Sequence, residues 1–98
     1  MKIVWSDPAI LDLENIKNYI AKDSPYYASI FVEKIIEAID KLSSFPSIGR
    51  IVPEFNNKNI REVIYQHYRV IYQTTQETIF ILTVIHGGRD LTNWLQDN

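Results

Sequence analysis

Arg50, Lys58, Arg61, Arg69, His86 and Arg89 all lie in the second half of this chain. Arginine forks match phosphate oxygens in a bidentate fashion. An imidazole moves a proton near neutral pH. With tyrosines such as Tyr68 among them, these residues can hold a phosphodiester, provided that strand alternation puts several of them on one exposed sheet face. Each also has an ordinary reading. An arginine on an antiparallel strand commonly just faces water. Arg61–Glu62 reads as a neighbouring charge pair, His86 as a strand-end residue bonded to a carbonyl, and His67 as a solvated turn residue. The two histidines stand far apart in sequence and there is no cysteine, so no metal site is expected and no cofactor. Gly87–Gly88 reads as a turn and not a phosphate loop, since neither G-x-x-x-x-G-K-[ST] nor G-x-G-x-x-G occurs. No Ser-His-Asp arrangement is legible from spacing.

The elements that must position these residues fall into two halves. Lys2–Trp5 reads as a short opening strand. Ser6, Asp7 and Pro8 then start a helix, a capping side chain followed by a proline where no N–H is needed. Ala9, Leu13, Ile16 and Ile20 mark its buried face. Lys22, Asp23 and Ser24 break it, and Ser24–Pro25 starts a second helix by the same device. Its buried face is Ala28, Phe31, Ile35, Ile39 and Leu42, and Phe45–Pro46 ends it. A short joint between two amphipathic helices implies an antiparallel hairpin.

In the second half of the chain the period changes. Ser47 to Asn59 is a polar loop holding Gly49, Arg50, Pro53 and Glu54, with a short strand near Ile51. Ile60–Tyr65 is a strand, Gln66–His67 a tight turn, and Tyr68–Gln73 a strand with Tyr68, Val70 and Tyr72 on one face. Thr74–Glu77 turns again. Thr78–His86 is the longest strand, apolar on both faces and therefore placed centrally. The fold class is α+β: an N-terminal short strand and a helix hairpin packed on a mostly antiparallel sheet. The helices are expected to cover one face and leave the basic face open.

The chain has 98 residues, which fits a single domain over residues 1–98. Hydrophobic residues make up 46% and charged residues 22%, an ordinary globular balance. The N-terminus has no signal-peptide core and no apolar run approaches a membrane span, so a cytoplasmic protein with no membrane partner is expected. A net charge of −2 and a pI of about 5.6 argue against nucleic-acid binding through a broad basic surface, though not against a small basic cleft.

The ordered set Ala9/Asp12–Leu13, FPxxGR at Phe45–Arg50, RE at Arg61–Glu62, YRVIY at Tyr68–Tyr72 and HGxRD at His86–Asp90 resembles the RelE/ParE superfamily of toxins from bacterial type II toxin–antitoxin pairs. The resemblance spans nearly the whole chain. It implies a cognate antitoxin protein that wraps and silences the toxin in a hetero-oligomer. It also leaves two targets open. ParE-like members inhibit DNA gyrase and need no hydrolytic site; RelE-like members cut messenger RNA on the ribosome without metal. RNA cleavage requires deprotonation of the 2′-hydroxyl, cationic support of the phosphorane and a proton for the leaving oxygen.

For that chemistry the resemblance puts Arg69 at the phosphate-binding arginine, His86 at an acid/base histidine, Glu54 at a carboxylate base, and Arg61 as a second phosphate ligand. Arg50, Lys58, Tyr68 and Arg89 are the accompanying binding residues. The tyrosine that often follows the C-terminal arginine motif in the RelE-like branch is absent, and RDLTNWLQDN offers only Trp94. The acidic pI and sparse catalytic set favour gyrase inhibition. The alternatives are a ribosome-dependent endoribonuclease and a decayed, non-toxic binding module.

Overall fold

Ser6 and Ser24 start the two helices in the same way. Ser6 Oγ accepts from the Ala9 N–H at 3.1 Å and Ser24 Oγ from the Tyr27 N–H at 3.2 Å, each with a proline in the first turn. A computed structural model describes residues 1–89 and 91. In chain order the elements are β1 (Lys2–Trp5), α1 (Asp7–Ala21), α2 (Pro25–Asp40), a 3-10 turn (Lys41–Ser43), β2 (Arg50–Ile51), β3 (Ile60–Tyr65), β4 (Tyr68–Thr74) and β5 (Thr78–His86). The regular helix α2 stops at Asp40, ahead of Phe45–Pro46, because the chain tightens into the 3-10 turn that buries Leu42. The sequence also suggests a short C-terminal helix through Leu91, Trp94 and Leu95, capped by Asp90; all of these except Leu91 lie outside the described residues.

The strands form one sheet in the order β1-β5-β4-β3-β2. All neighbouring pairs are antiparallel except β1 with β5, which run parallel. β5 is interior as expected, but β4 is the middle strand, because β1 returns to the far side of β5. A register shift between Ile71 and Tyr72 places Ile71 opposite Thr83 and Tyr72 opposite Ile81, so Leu82 is the extra residue of a bulge in β5. Asp12 on α1 meets this bulge. Its Oδ2 accepts from the Val84 N–H at 3.0 Å and from Thr83 Oγ1 at 2.6 Å.

Each face of the sheet carries a core. On the helix side Phe31, Ile35, Ile39 and Leu42 pack on Val70, Tyr72, Ile79 and Ile81. The other face is not left bare. Val52 and Leu91, with Phe55 beside them, cover Ile71 and Ile85. Burying one such side chain contributes roughly 1.5–3 kcal/mol. Among the described residues the helix-side cluster has ten buried members against four and so is the larger source of their stability, while the second cluster fixes the loop after β2.

Candidate functional site

Tyr72 organises the loop that precedes β2. Its buried hydroxyl donates to the Pro46 carbonyl at 2.9 Å and accepts from the Gly49 N–H at 3.0 Å. Burial raises its pKa. A Cβ at Gly49 would lie 2.5 Å from the Glu62 carbonyl oxygen and 2.6 Å from the Tyr72 hydroxyl, so only glycine fits. Arg61 Nη1 donates to the Gly49 carbonyl at 2.9 Å. The FPxxGR and RE segments are thus bound to one another: β2 places Arg50 opposite Glu62 and Ile51 opposite Arg61.

Glu62 lies on the sheet face away from the helices, with its side chain fully shielded from solvent. Buried carboxylates must be paired, and Glu62 meets two arginines, Arg50 Nε at 2.5 Å and Arg69 Nη2 at 2.6 Å. Arg69 is itself 5% exposed. A guanidinium has five N–H donors, and four of those of Arg69 are hydrogen-bonded. Nε donates to Glu62 Oε1 at 2.7 Å. Nη1 donates to Glu54 Oε2 and to the Arg89 carbonyl, each at 2.9 Å. Nη2 donates to Glu54 Oε1 at 2.9 Å and contacts Glu62 Oε1.

Glu54 closes the arrangement by accepting the Leu91 N–H at 3.1 Å. The Arg69 hydrogen bonds hold its carboxyl down at about 2, from an ordinary 4.5, against the opposing effect of burial. Arg69 is correspondingly raised, first by Glu54 and then by Glu62. Two carboxylates and two guanidiniums make a neutral quartet, so it has no net charge with which to attract an anion.

The residues expected to share one face are divided between two. Arg61 stands opposite Tyr72 and His86 opposite Tyr68, on the helix side. Arg69 alternates to the other side, with Ile64 and Ile85 as its cross-strand neighbours. Arg61 and Glu62 therefore do not pair with each other. The expected open basic face is instead occupied by the second apolar cluster and the Glu54–Arg69–Glu62 network. Glu62 was legible as a charge but not as a hub. The available signal was Ile60, Glu62 and Ile64 on one strand face, where an acid between two isoleucines calls for a partner. Lys58 and Arg89 are exposed, and Arg89 contributes its backbone carbonyl to Arg69.

At the far end of the sheet Tyr68 packs edge-on against Phe31 and His86, with ring centres 5.4 and 5.9 Å apart. The two histidines, distant in sequence, are neighbours here: β4 carries the chain away from His67 and β5 returns it to His86, and the ring centres lie 6.5 Å apart. Neither Gly87 nor Gly88 has positive φ, so the turn does not depend on left-handed glycine. At Gly87 the backbones approach closely, and a Cβ there would lie 3.2 Å from the His67 carbonyl oxygen, a tight contact that the turn would have to shift to accept. Beside this end, Ile20, Tyr27, Ile30, Phe31, Tyr65 and Gln66 line a groove of about 320 Å³. The groove is mostly apolar and has no ionised side chain, which suits an apolar protein side chain better than a phosphate.

Residues 3–91 match the family described as the ParE toxin of type II toxin–antitoxin systems. The chain is 28% identical over 89 residues to "Toxin RelE2" of Caulobacter vibrioides, covering 90% of this chain and 97% of that one. It is 33% identical over 88 residues to "Putative toxin Y4kP" of Sinorhizobium fredii, covering 88% of each. Among solved structures, the chromosomal ParDE toxin–antitoxin system of P. aeruginosa superposes with a TM-score of 0.73 at 21% identity, covering 88% of this chain and 95% of that one. The RelBE2 toxin–antitoxin complex of Mycobacterium tuberculosis gives 0.61 at 20% identity, covering 87% and 95%. These two share the fold.

Proposed function

We propose that this chain, which belongs to the ParE toxin family of type II toxin–antitoxin systems, arrests growth by binding DNA gyrase, and that a cognate antitoxin protein silences it. The observation that carries this reading is the state of Arg69. Its guanidinium makes four hydrogen bonds, to Glu54, Glu62 and the Arg89 carbonyl, and a further ion-pair contact with Glu62. A hydrolytic site needs donors aimed at the reacting group and free to bind it. A binding toxin needs only a shaped surface, and the apolar groove beside Phe31 and Tyr65 is of that kind. The test is gyrase supercoiling with purified toxin, alone and with its antitoxin. Loss of supercoiling, restored by antitoxin, is expected; intact supercoiling at saturating toxin would remove this reading.

A second reading is favoured by His86, which is solvent-exposed at the end of β5, and by the RelE2 name of one relative. In it the chain is a ribosome-dependent endoribonuclease with His86 as proton donor. Arg61, Arg69 and Glu54 would then serve the phosphate and base roles, and Arg50, Lys58, Tyr68 and Arg89 would hold the message. Arg69 would have to leave Glu54 first, exchanging two carboxylate hydrogen bonds for phosphate ones. Primer extension on messages after induced expression decides this. New ends inside translated codons, lost in a His86→Ala protein, support cleavage; unchanged message ends exclude it.

A further inference from the structure

Both histidines of the chain meet at one corner of the sheet. His67 sits in the β3–β4 turn and His86 closes β5, both exposed, with ring centres 6.5 Å apart and ring planes inclined by 19°. Their backbones are fixed to each other. The Gly87 N–H donates to the His67 carbonyl at 2.7 Å, and Tyr68, next to His67, stands directly opposite His86. The Tyr68 ring also backs the His86 imidazole. Two imidazoles thus project into solvent from roots that do not move apart.

We propose that His67 and His86 form a binding site for a borderline divalent transition-metal ion of the zinc, nickel or copper class. Neutral imidazole is a preferred ligand for these ions. With metal–nitrogen distances of about 2.0–2.1 Å, two adjacent imidazole ligands of one ion have ring centres roughly 4.5–5 Å apart. The observed 6.5 Å is wider, and rotation of the two exposed side chains about their fixed backbones brings the rings together. Nδ1 of His86 accepts from the Gly88 N–H at 3.4 Å, a long contact; ligation through Nε2 moves the ring proton to Nδ1 and gives that contact up. Among the described residues no group of three His, Cys, Asp or Glu could hold a metal, so water completes the coordination and the ion exchanges readily. A bound ion ties the β3–β4 turn to the end of β5 and stabilises the folded chain by mass action.

The probe is Ni²⁺. Calorimetric titration of the purified chain should show one ion per chain, and thermal unfolding should shift to higher temperature with Ni²⁺ and back with EDTA. His67→Gln and His86→Gln should each abolish both effects, while unfolding in EDTA stays that of the unsubstituted chain. A readout independent of the variants is selective broadening of both histidine ring signals by Cu²⁺ in the NMR spectrum of the unsubstituted chain. No uptake, or uptake and thermal shift that persist in the double variant, would overturn the site. So would Cu²⁺ that leaves either ring signal sharp.

Discussion

Replacing Arg69 with alanine would leave the Glu62 carboxylate, shielded from solvent, with Arg50 as its one remaining cation among the described residues. Breaking a buried pair from one side costs about 3–5 kcal/mol. Urea unfolding of Arg69→Ala should therefore show a loss of that order, and unchanged stability would mean that the network is not fastened as drawn. Any loss of toxicity in this variant must be read beside its fold. Acid should reach the same network through Glu54. Its folded pKa is depressed from 4.5 to about 2, so its ion pair stabilises fully above about 4.5 and progressively less as pH falls toward 2. Stability measured between pH 6 and 2.5 should fall more steeply in the parent than in Glu54→Gln, and parallel curves would contradict the pairing. At this scale the sequence was only partly legible. Arg69 was recognisable as a singular arginine, but whether a guanidinium faces a phosphate or two glutamates depends on which face each carboxylate occupies. The face of Glu62 is fixed by its pairing with Ile71, and Glu54 reaches Arg69 only because the loop after β2 folds over Ile71 and Ile85.

Both helix starts and the strands β1, β3 and β5 could be read from the chain, because caps, prolines and two-residue alternation are local signals. The bulge in β5 could not. Leu82 fits a strand as well as Ile81 and Thr83 on either side of it, and its displacement shows only against the register of β4. Asp12 was recognisable as part of a pattern, and the structure supplies its reason: it caps the Val84 N–H and Thr83 hydroxyl at the bulge from across the helix–sheet interface. Asp12→Ala leaves that N–H without its acceptor, which costs about 1–3 kcal/mol. Denaturant unfolding should show this loss, with Asp12→Asn recovering part of it because an amide oxygen can still accept. Equal stability of all three proteins would show that water replaces the carboxylate at no cost.

Over the whole molecule, the expectation of one covered face and one open basic face gave way to a sheet packed on both sides. Alternation in β4 showed that Arg69 and Ile71 share a face. It could not show that Val52, Phe55 and Leu91 would come back to cover it, since that depends on contacts distant in sequence. The middle strand gains most from this two-sided burial. Hydrogen exchange of the native protein should therefore find the Val70, Ile71 and Tyr72 amides opening only near the global unfolding free energy, and the two residues of β2 opening well below it. Comparable protection in both strands would contradict this ordering. The parallel seam between β1 and β5 sets a different order, that of assembly in time. Lys2 lies opposite Thr78, so β1, the earliest-made of the five strands, has no neighbour until the elements up to β5 have followed it. The helix hairpin and the β3–β4 ribbon can close between sequence neighbours, whereas this seam needs a search across nearly the full length of the polypeptide, and such long-range closures are slow. A nascent chain accordingly spends most of its synthesis with an unfinished sheet, and the completed surface exists only once β5 has been made and β1 has been drawn back to it.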